Sequence, residues 1–386
     1  LYLDGVPPEN SIKQITQKFK VDKQQATHDY SEFCAKFSEL ISPDGGCPIC
    51  DLELDIIAPF SKVPAAPYRM DLAITYRCNN DCSHCYNDRP RNYPELTTDK
   101  WIKVIDLLYQ IGIPHVVFTG GEPTLRSDLP ELIAHAEKKG LITGINTNGR
   151  RLKDPVYVDQ LVRAGLDHAQ ITLESHIPEV HNQMVANPQA WVDTISGIRN
   201  VLATHLYVMT NTTLLSTNAP YLENTLDYLA ELGVPTIGLN ALIYSGKGLT
   251  VDSGLHESEL PALLQLAREK TENNGQKLIW YTPTQYCNFD PVQMELGVKG
   301  CTAASYNMCV EPDGSVLPCQ SYYHSLGNLL SDPWDSIWNH ELAISLREHK
   351  NLPEKCYDCL LVNECGGGCP LTHQLELTSD RHSTKL

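Results

Sequence analysis

Three cysteines within eight residues are the side chains of this sequence best suited to chemistry. Cys78, Cys82 and Cys85 follow the spacing Cys-x3-Cys-x2-Cys. Three thiolates this close together can hold three irons of a cubane iron–sulfur cluster and leave the fourth iron open for a reactant. The alternatives are a zinc knuckle and a disulfide loop, but zinc usually takes four ligands in paired Cys-x2-Cys sets, and no fourth ligand cysteine lies nearby. The spacing therefore favours a cluster with an open iron.

A second cysteine-rich region lies near the carboxyl-terminal end. Eight of the 14 cysteines fall between Cys287 and Cys369. In a chain of this size such spacings indicate reduced, metal-bound thiolates rather than a secreted disulfide scaffold. A zinc-ribbon module is the alternative for this region. The turn sequence Pro312 to Gly314 predicts a hairpin that would bring Cys301 and Cys319 together.

Strands and helices alternate between the two regions, which predicts a parallel sheet covered by helices. Six such strands imply an α/β fold, a partial (β/α)6 TIM-like barrel whose active site is built by loops at the carboxyl ends of the strands. The cysteine triad follows the first strand directly, as such a site requires. A helix comes next, with Thr97 or Thr98 as its cap. The predicted strands contain Leu72 to Tyr76, Val116 to Phe118, Ile142 to Asn146, Ala169 to Leu173, Tyr207 to Thr210 and Thr236 to Asn240, and the helix contains Trp101, Val104, Ile105 and Leu108.

The second strand ends in Gly120, Gly121 and Glu122, followed by a proline. Two glycines allow the backbone to approach a ligand closely, and a carboxylate can receive an ammonium group. Alone, this motif would be an ordinary turn. Beside the cysteine triad it predicts part of a ligand site.

The triad and the Gly-Gly-Glu-Pro strand end together resemble radical S-adenosylmethionine (SAM) enzymes. The resemblance implies that the three cysteines are the catalytic centre and hold a SAM-binding [4Fe–4S] cluster. It also implies that Gly120, Gly121 and Glu122 bind the amino group of SAM. SAM would be cleaved to a 5′-deoxyadenosyl radical, which abstracts hydrogen from the substrate.

Further SAM contacts are implied at later strand ends. His84 stands where the family usually has an aromatic residue near the adenine. The family often has an arginine after a His-Asp pair, but here His181-Asn182 leads to Val185, so the usual contact to the SAM carboxylate is missing. The other implied contacts are Asn148, Glu174 and Ser175.

The carboxyl-terminal cysteines resemble the SPASM extension of radical SAM proteins. Cys301, Gly314 and Cys319 are followed by a Cys-x2-Cys-x5-Cys-x3-Cys run that begins at Cys356 and ends at Cys369. The resemblance implies one or two auxiliary [4Fe–4S] clusters. By the family pattern, cluster I takes Cys301, Cys319 and Cys369, and cluster II takes Cys356, Cys359 and Cys365.

Each implied auxiliary cluster lacks one ligand. For cluster I the candidates are Cys287 and Cys309, and Cys287 is favoured because Cys309 falls in a predicted hairpin strand. For cluster II, the family's final cysteine would follow Cys369, and no residue from 370 to 386 is a cysteine. Either the sequence stops short of it, or cluster II has an open iron, or that cluster is absent.

Residues 1–45 are predicted to form a separate helical unit. It resembles the helical half of the peptide-recognition element of ribosomal-peptide maturases, which capture a leader peptide by adding it as a strand to a small sheet. The strands of that sheet would precede the given sequence, and a plain helical cap is the alternative. One apolar helical face contains Ile12, Ile15 and Phe19, and the other contains Tyr30, Phe33, Phe37, Leu40 and Ile41.

A linker is predicted at 46–67. Its Cys47 and Cys50 form a Cys-x2-Cys pair near Cys34, but without further ligands nearby the pair is given no catalytic role. The barrel is assigned to 68–275 and the SPASM domain to 276–386.

Charge and hydropathy exclude two classes of partner. The net charge of −17 argues against a nucleic-acid surface. No apolar run approaches the roughly 18 residues that a membrane helix needs. A cytoplasmic protein is expected.

The main functional hypothesis is a maturase that installs a cross-link or related modification in a ribosomally made precursor peptide. The N-terminal unit would bind the leader, and a flavodoxin or ferredoxin would donate electrons. One rival acts on a folded enzyme, as sulfatase maturases do, but those usually have an aspartate base where this chain has Gln320. Another rival acts on a small molecule such as a tetrapyrrole. An iron–sulfur electron carrier or sensor would not explain the Gly-Gly-Glu strand end.

Overall fold

The structure is a computed structural model that describes residues 7–19, 21–40, 64–350 and 352–372. The chain divides into two compact units, Leu1–Pro64 and Ala65–Leu386, and each is described by itself. No helix in the described ranges is long and apolar enough to cross a membrane.

The described part of the first unit is helical, as predicted. Helix α1 covers Pro8–Phe19 and α2 covers Lys23–Leu40. Asp22 caps α2, because its carboxylate accepts a hydrogen bond from the Gln24 backbone N–H at 2.7 Å.

The predicted apolar face of α2 is only partly confirmed. Ala26 and Tyr30 are buried, whereas Phe33 is 54% exposed. The segment before Pro7 and the linker with Cys47 and Cys50 lie outside the described residues.

The second unit is built around one ten-stranded sheet. Its strands are β1 Arg69–Thr75, β2 His115–Gly120, β3 Ile142–Thr147, β4 His168–Thr172, β5 Tyr207–Thr213, β6 Thr236–Asn240, β7 Lys277–Trp280, β8 Asn307–Val310, β9 Ser315–Leu317 and β10 Gly327–Asn328. They are ordered β10-β9-β8-β1-β2-β3-β4-β5-β6-β7. Strands β1 to β7 are parallel, β8 also pairs with β1 in parallel, and β9 and β10 are antiparallel. The result is a partial barrel whose two edge strands are β7 and β10.

All six predicted strands are confirmed, and two features of the sheet were not foreseen. β7 extends the parallel wall by one strand, and the carboxyl-terminal segment joins the barrel sheet through β8. One sheet therefore contains strands from both sides of residue 275, where the sequence predicts a domain boundary. That boundary stays a prediction.

The first seven helices of the second unit separate strands β1 to β7 in sequence, and the last three follow β10. They are α3 Thr98–Ile111, α4 Leu129–Lys138, α5 Pro155–Arg163, α6 Pro178–Met184, α7 Ala190–Leu202, α8 Leu222–Glu231, α9 Leu260–Asn273, α10 Trp334–Trp338, α11 Glu341–Arg347 and α12 Val362–Cys365. Short 3-10 helices cover Pro123–Leu125, Arg150–Lys153, Ala219–Tyr221, Gly246–Leu249, Glu257–Glu259 and Glu354–Cys356.

Helix α3 buries the apolar face that its spacing predicts. Thr97 occupies the N-cap position, as predicted, but makes no side-chain capping hydrogen bond. The Thr98 hydroxyl donates instead to Asp128 at 2.7 Å, which links α3 to the start of α4. Gly112, with φ of +92°, ends the helix in the left-handed conformation. The buried residues are Trp101, Val104, Ile105 and Leu108.

Replacing Trp101 with alanine should lower the free energy of unfolding by about 3–5 kcal/mol, because this side chain is fully buried in the core. Tyr109→Ala on the same helix is the matched control, since Tyr109 is 51% exposed. The control should cost less than about 1 kcal/mol. Urea denaturation curves of the two variants measure the difference, and equal losses would contradict the packing described.

Candidate active site

The cysteine loop begins directly after β1, at the carboxyl ends of the parallel strands. The loop has no regular secondary structure, so contacts from neighbouring segments hold it. The Asp81 N–H donates to the Val185 carbonyl at 3.0 Å. The Arg91 guanidinium donates to the Cys78 carbonyl at 2.7 Å and to the Asp81 carboxylate at 2.8 Å.

All three thiols of the triad line one cavity of about 690 Å³. The pKa of Cys78 is raised to about 11, mainly by burial and further by the charges of Glu122 and Cys85. Burial also raises the pKa of Cys82, as do the charges of Cys85 and Cys78. An iron cluster must displace these thiol protons on binding. Three adjacent thiols that face a cavity fit the predicted cluster.

Gly120 and Gly121 bring the ends of β1 and β2 into backbone contact. Gly120 has φ of +132°, and a Cβ there would lie 2.0 Å from the Thr75 carbonyl oxygen. A Cβ on Gly121 would lie 2.4 Å from the Arg77 carbonyl oxygen. Both glycines also line the cavity, so their contact with SAM stays a prediction. In the structure, the glycines allow a close approach between the backbones at the ends of β1 and β2.

Glu122 is fully buried and is not among the residues that line the cavity. Its carboxylate accepts hydrogen bonds from the Thr124 N–H at 3.1 Å, the Thr147 hydroxyl at 2.7 Å and the Asn148 N–H at 2.8 Å. Burial raises its pKa, while these hydrogen bonds favour the charged form and act in the opposite direction. The carboxylate therefore ties the end of β2 to the end of β3. Its predicted contact with the SAM ammonium group stays a prediction.

His84 and Glu174 lie together on the cavity wall. His84 Nε2 is 3.0 Å from one Glu174 oxygen, and the other oxygen accepts a hydrogen bond from the Thr213 N–H at 2.9 Å. Asn148 lines the cavity as well. Ser175 is fully buried away from it, so this arrangement does not bring Ser175 to a ligand.

His181 lines the cavity beside Glu174, a position that sequence reasoning missed. Its Nδ1 accepts a hydrogen bond from the Glu174 backbone N–H at 3.1 Å. Burial lowers the pKa of this imidazole to about 4, so the ring is neutral near pH 7 and carries its proton on Nε2. The cavity wall thereby has an imidazole N–H donor beside Glu174.

A second group of thiols lines the same cavity. Cys301, Cys319 and Cys369 come together there, as the predicted ligand set of cluster I requires. The pKa of Cys319 is raised to about 12, mainly by burial and also by the charge of Cys369. The β8–β9 hairpin turns at Gly314, with φ of +91°, as the turn sequence predicted.

Cys287 does not join that group. The pKa of Cys356 is raised by burial and by the charges of neighbouring thiols, Cys287 among them. The Tyr286 N–H donates to the Cys365 sulfur at 3.4 Å and holds this segment beside the other set. The assignment of Cys287 to cluster I stays a prediction.

Cys309, the other candidate, lies in β8 as predicted. It is fully buried, packs with Tyr76 and Leu317, and is not among the residues that line the cavity. In the described part of the chain, no three Cys, His, Asp or Glu side chains lie close enough together to hold one metal ion.

Polar side chains from the strands complete the cavity wall. Arg69 and His115, at the beginnings of β1 and β2, line the same cavity as the cysteine loop, so it extends along the length of the strands. Sequence reasoning missed these residues because it used only the apolar half of each alternating strand pattern. Six further residues of the wall are Asn146, Gln170, Thr172, Asn211, Thr213 and Asn240.

Replacing Glu122 with glutamine should weaken SAM binding about tenfold or more, because one amide cannot accept hydrogen bonds from all the donors that now meet the carboxylate. The strand ends that carry Gly121 and Asn148 would lose their shared anchor. Anaerobic equilibrium binding of SAM to the reconstituted protein measures the effect. Glu131→Gln, on the exposed face of α4, is the control, and equal affinity of the two variants would contradict the anchoring role.

Comparison with known proteins agrees with this geometry. Residues 72–216 match the model of the radical SAM superfamily, and residues 301–360 match that of an iron–sulfur cluster-binding domain called SPASM. The Fe-coproporphyrin III synthase of Methanosarcina barkeri is 30% identical over 336 residues, which cover 79% of this chain and 83% of that protein.

Two solved structures share the fold at low sequence identity. Streptococcus suis SuiB bound to precursor peptide SuiA has a TM-score of 0.70 at 14% identity, over 91% of this chain and 78% of SuiB. The enzyme anSMEcpe with bound AdoMet and Cp18Cys peptide has a TM-score of 0.62 at 17% identity, over 79% of this chain and 89% of that one. This chain belongs to the radical SAM superfamily and is a radical SAM enzyme with a SPASM cluster-binding domain.

Proposed function

We propose that this radical SAM enzyme acts on a ribosomally synthesised precursor peptide and installs a cross-link or related modification in it. When bound, the triad's cluster and SAM supply a 5′-deoxyadenosyl radical that takes a hydrogen atom from the peptide. A reduced flavodoxin or ferredoxin is the proposed electron donor. The cytoplasm is the proposed compartment, because every cysteine from Cys78 to Cys369 is a free thiol in the described structure.

The extent of the likeness to SuiB is the observation that carries the proposal. Residues 65–386 are 322 of the 386 residues, about 83% of the chain. A match that covers 91% of the chain must therefore extend into the first unit. The matched SuiB structure contains a precursor peptide, and this supports a leader-binding role for the helical unit.

The wall of the cavity also suits a peptide. Side-chain amides of Asn146, Gln170 and Asn211 line it, and each can both donate to and accept from a peptide group. The Arg69 guanidinium, on the same wall, donates to the buried Asp71 carboxylate at 3.0 Å. These residues would orient the peptide and replace water around it, which is the protein's share of the work in radical chemistry.

A tetrapyrrole is the second candidate substrate. It is favoured by the relative named Fe-coproporphyrin III synthase, whose sequence is 30% identical to this chain, against 14% for SuiB. That match covers 79% of this chain and 83% of that protein. The helical unit, whose sequence resembles the helical half of a leader-recognition element, is the feature that favours a peptide over a tetrapyrrole.

A sulfatase-maturase-like role is less well supported, although anSMEcpe shares the fold. Gln320 lines the cavity directly after Cys319, and its amide oxygen accepts a hydrogen bond from the Tyr86 hydroxyl at 3.0 Å. A neutral amide cannot serve as the base that an aspartate would provide at this position.

Cys82→Ala should reduce 5′-deoxyadenosine formation from SAM to background, because two thiolates do not hold the cluster in place. Cys309→Ala removes a cysteine that belongs to neither thiol set and should retain cleavage. Chromatography of the nucleoside products, from anaerobically reconstituted protein with dithionite, measures both. Equal cleavage by the two variants would contradict the role assigned to the triad.

If a small gene lies beside this one, incubation with the peptide that it encodes should change that peptide. A loss of two hydrogens would mark a cross-link or oxidation, and an unchanged mass with one deuterium from solvent would mark epimerisation. A parallel incubation with iron porphyrins that bear carboxylate side chains tests the second candidate. Conversion of a porphyrin with no change in the peptide would contradict the peptide proposal.

A further inference from the structure

Cys287 is a thiol that the site described above does not use. It lies upstream of Cys301 and outside residues 301–360, which match the cluster-binding domain model. Its side chain is exposed, and the residue before it, Tyr286, contacts Cys365. Cys356, Cys359 and Cys365 have metal-ligand spacing and supply three of the four thiolates that a [4Fe–4S] cluster usually takes.

The segment 284–287 is fixed against this trio by hydrogen bonds to sulfur. The Tyr286 N–H donates to Cys365 Sγ at 3.4 Å, and Cys365 Sγ lies within hydrogen-bond distance of the Thr284 carbonyl, at 3.5 Å. Backbone N–H groups that point at a thiolate are typical of cluster ligands, since they stabilise its negative charge. Cys287 directly follows Tyr286, the residue whose N–H contacts Cys365 Sγ.

Gln285 reinforces the same arrangement. Its side-chain oxygen accepts a hydrogen bond from the Lys355 ammonium group at 2.8 Å and lies 3.9 Å from Cys287 Sγ. Lys355 directly precedes Cys356. The Gln285 amide therefore connects the segment that carries Cys287 to the residue beside Cys356. A Cβ on Gly368 would come within 2.8 Å of the Gln285 side chain, so a glycine is needed for this contact.

A run of three glycines separates the two thiol sets. Gly366, Gly367 and Gly368 have φ of +61°, +76° and +85°, all in the left-handed region. They turn the chain sharply between Cys365 and Cys369. Cys369 consequently lines the cavity with the first set, whereas Cys365 is buried against segment 284–287.

We propose that Cys287 is the fourth thiolate ligand of the second auxiliary [4Fe–4S] cluster, together with Cys356, Cys359 and Cys365. The ligand comes from the segment between β7 and β8, before the matched domain. The cavity-facing set then keeps three thiolates from Cys301, Cys319 and Cys369. This assignment rests on membership of the family and is independent of the substrate proposed above.

Alkylation of the full-length reconstituted protein tests the ligand directly. Because Cys287 is exposed, N-ethylmaleimide should label it quickly in the iron-free protein. In the iron-loaded protein its labelling should slow about tenfold or more, since a metal-bound thiolate is a poor nucleophile. Peptide mass mapping after a short anaerobic pulse gives the labelled fraction at each cysteine.

Two double variants then identify the set to which Cys287 belongs. Replacement of Cys356 and Cys359 by alanine should abolish the protection of Cys287. Replacement of Cys301 and Cys319 by alanine should leave that protection intact. Protection of Cys82 in both variants reports that the barrel and its cluster have formed.

Three results would overturn the proposal. The first is equal labelling of Cys287 in iron-loaded and iron-free wild-type protein, a comparison that does not depend on any variant. The second is the reverse pattern, with protection lost only when Cys301 and Cys319 are replaced. The third is loss of protection in both double variants, or in neither. Because alkylation needs no substrate, failure here is distinguishable from failure of the peptide proposal.

Discussion

Backbone contact between the ends of β1 and β2 is the constraint on which the site depends. The Gly121 N–H donates to the Thr75 carbonyl at 2.8 Å, and the Glu122 N–H donates to the Arg77 carbonyl at 2.8 Å. Only glycine at positions 120 and 121 lets the two backbones come this close, because a Cβ atom at either position would collide with a carbonyl oxygen of the other segment. The cysteine loop starts one residue later, at Cys78, so its position follows from the same contact. Backbone packing between the strand ends thus places the loop.

The two cysteine regions share a cavity because β8 is added to the barrel sheet beside β1. In the parallel register Asp71 of β1 stands opposite Cys309 of β8. Polar contacts then continue across the junction, where the Arg89 guanidinium donates to the buried Glu311 carboxylate at 2.7 Å. A buried ion pair of this kind is costly to break by removing one partner, so it fixes the junction more than it stabilises the fold.

Features with a local signal could be predicted from the sequence. The six strands, the hairpin at Gly314 and the triad follow from periodicity, turn residues and spacing within a few positions. β7 could not be predicted in this way, because its four residues from Lys277 to Trp280 show no alternation long enough to recognise. The burial of Glu122 and the position of Cys287 depend on how distant segments pack. No spacing along the chain contains that information.

The central claim is that the triad leaves one iron free to bind SAM. Electron–nuclear double resonance on the reduced cluster, with SAM labelled with 15N at its amino group and 17O at its carboxylate, tests this most directly. In Cys301→Ala/Cys319→Ala/Cys356→Ala/Cys359→Ala protein, the cluster of Cys78, Cys82 and Cys85 is the one expected to remain. The account predicts hyperfine coupling from both labels to that cluster. A reduced cubane with no coupling from either label would contradict it.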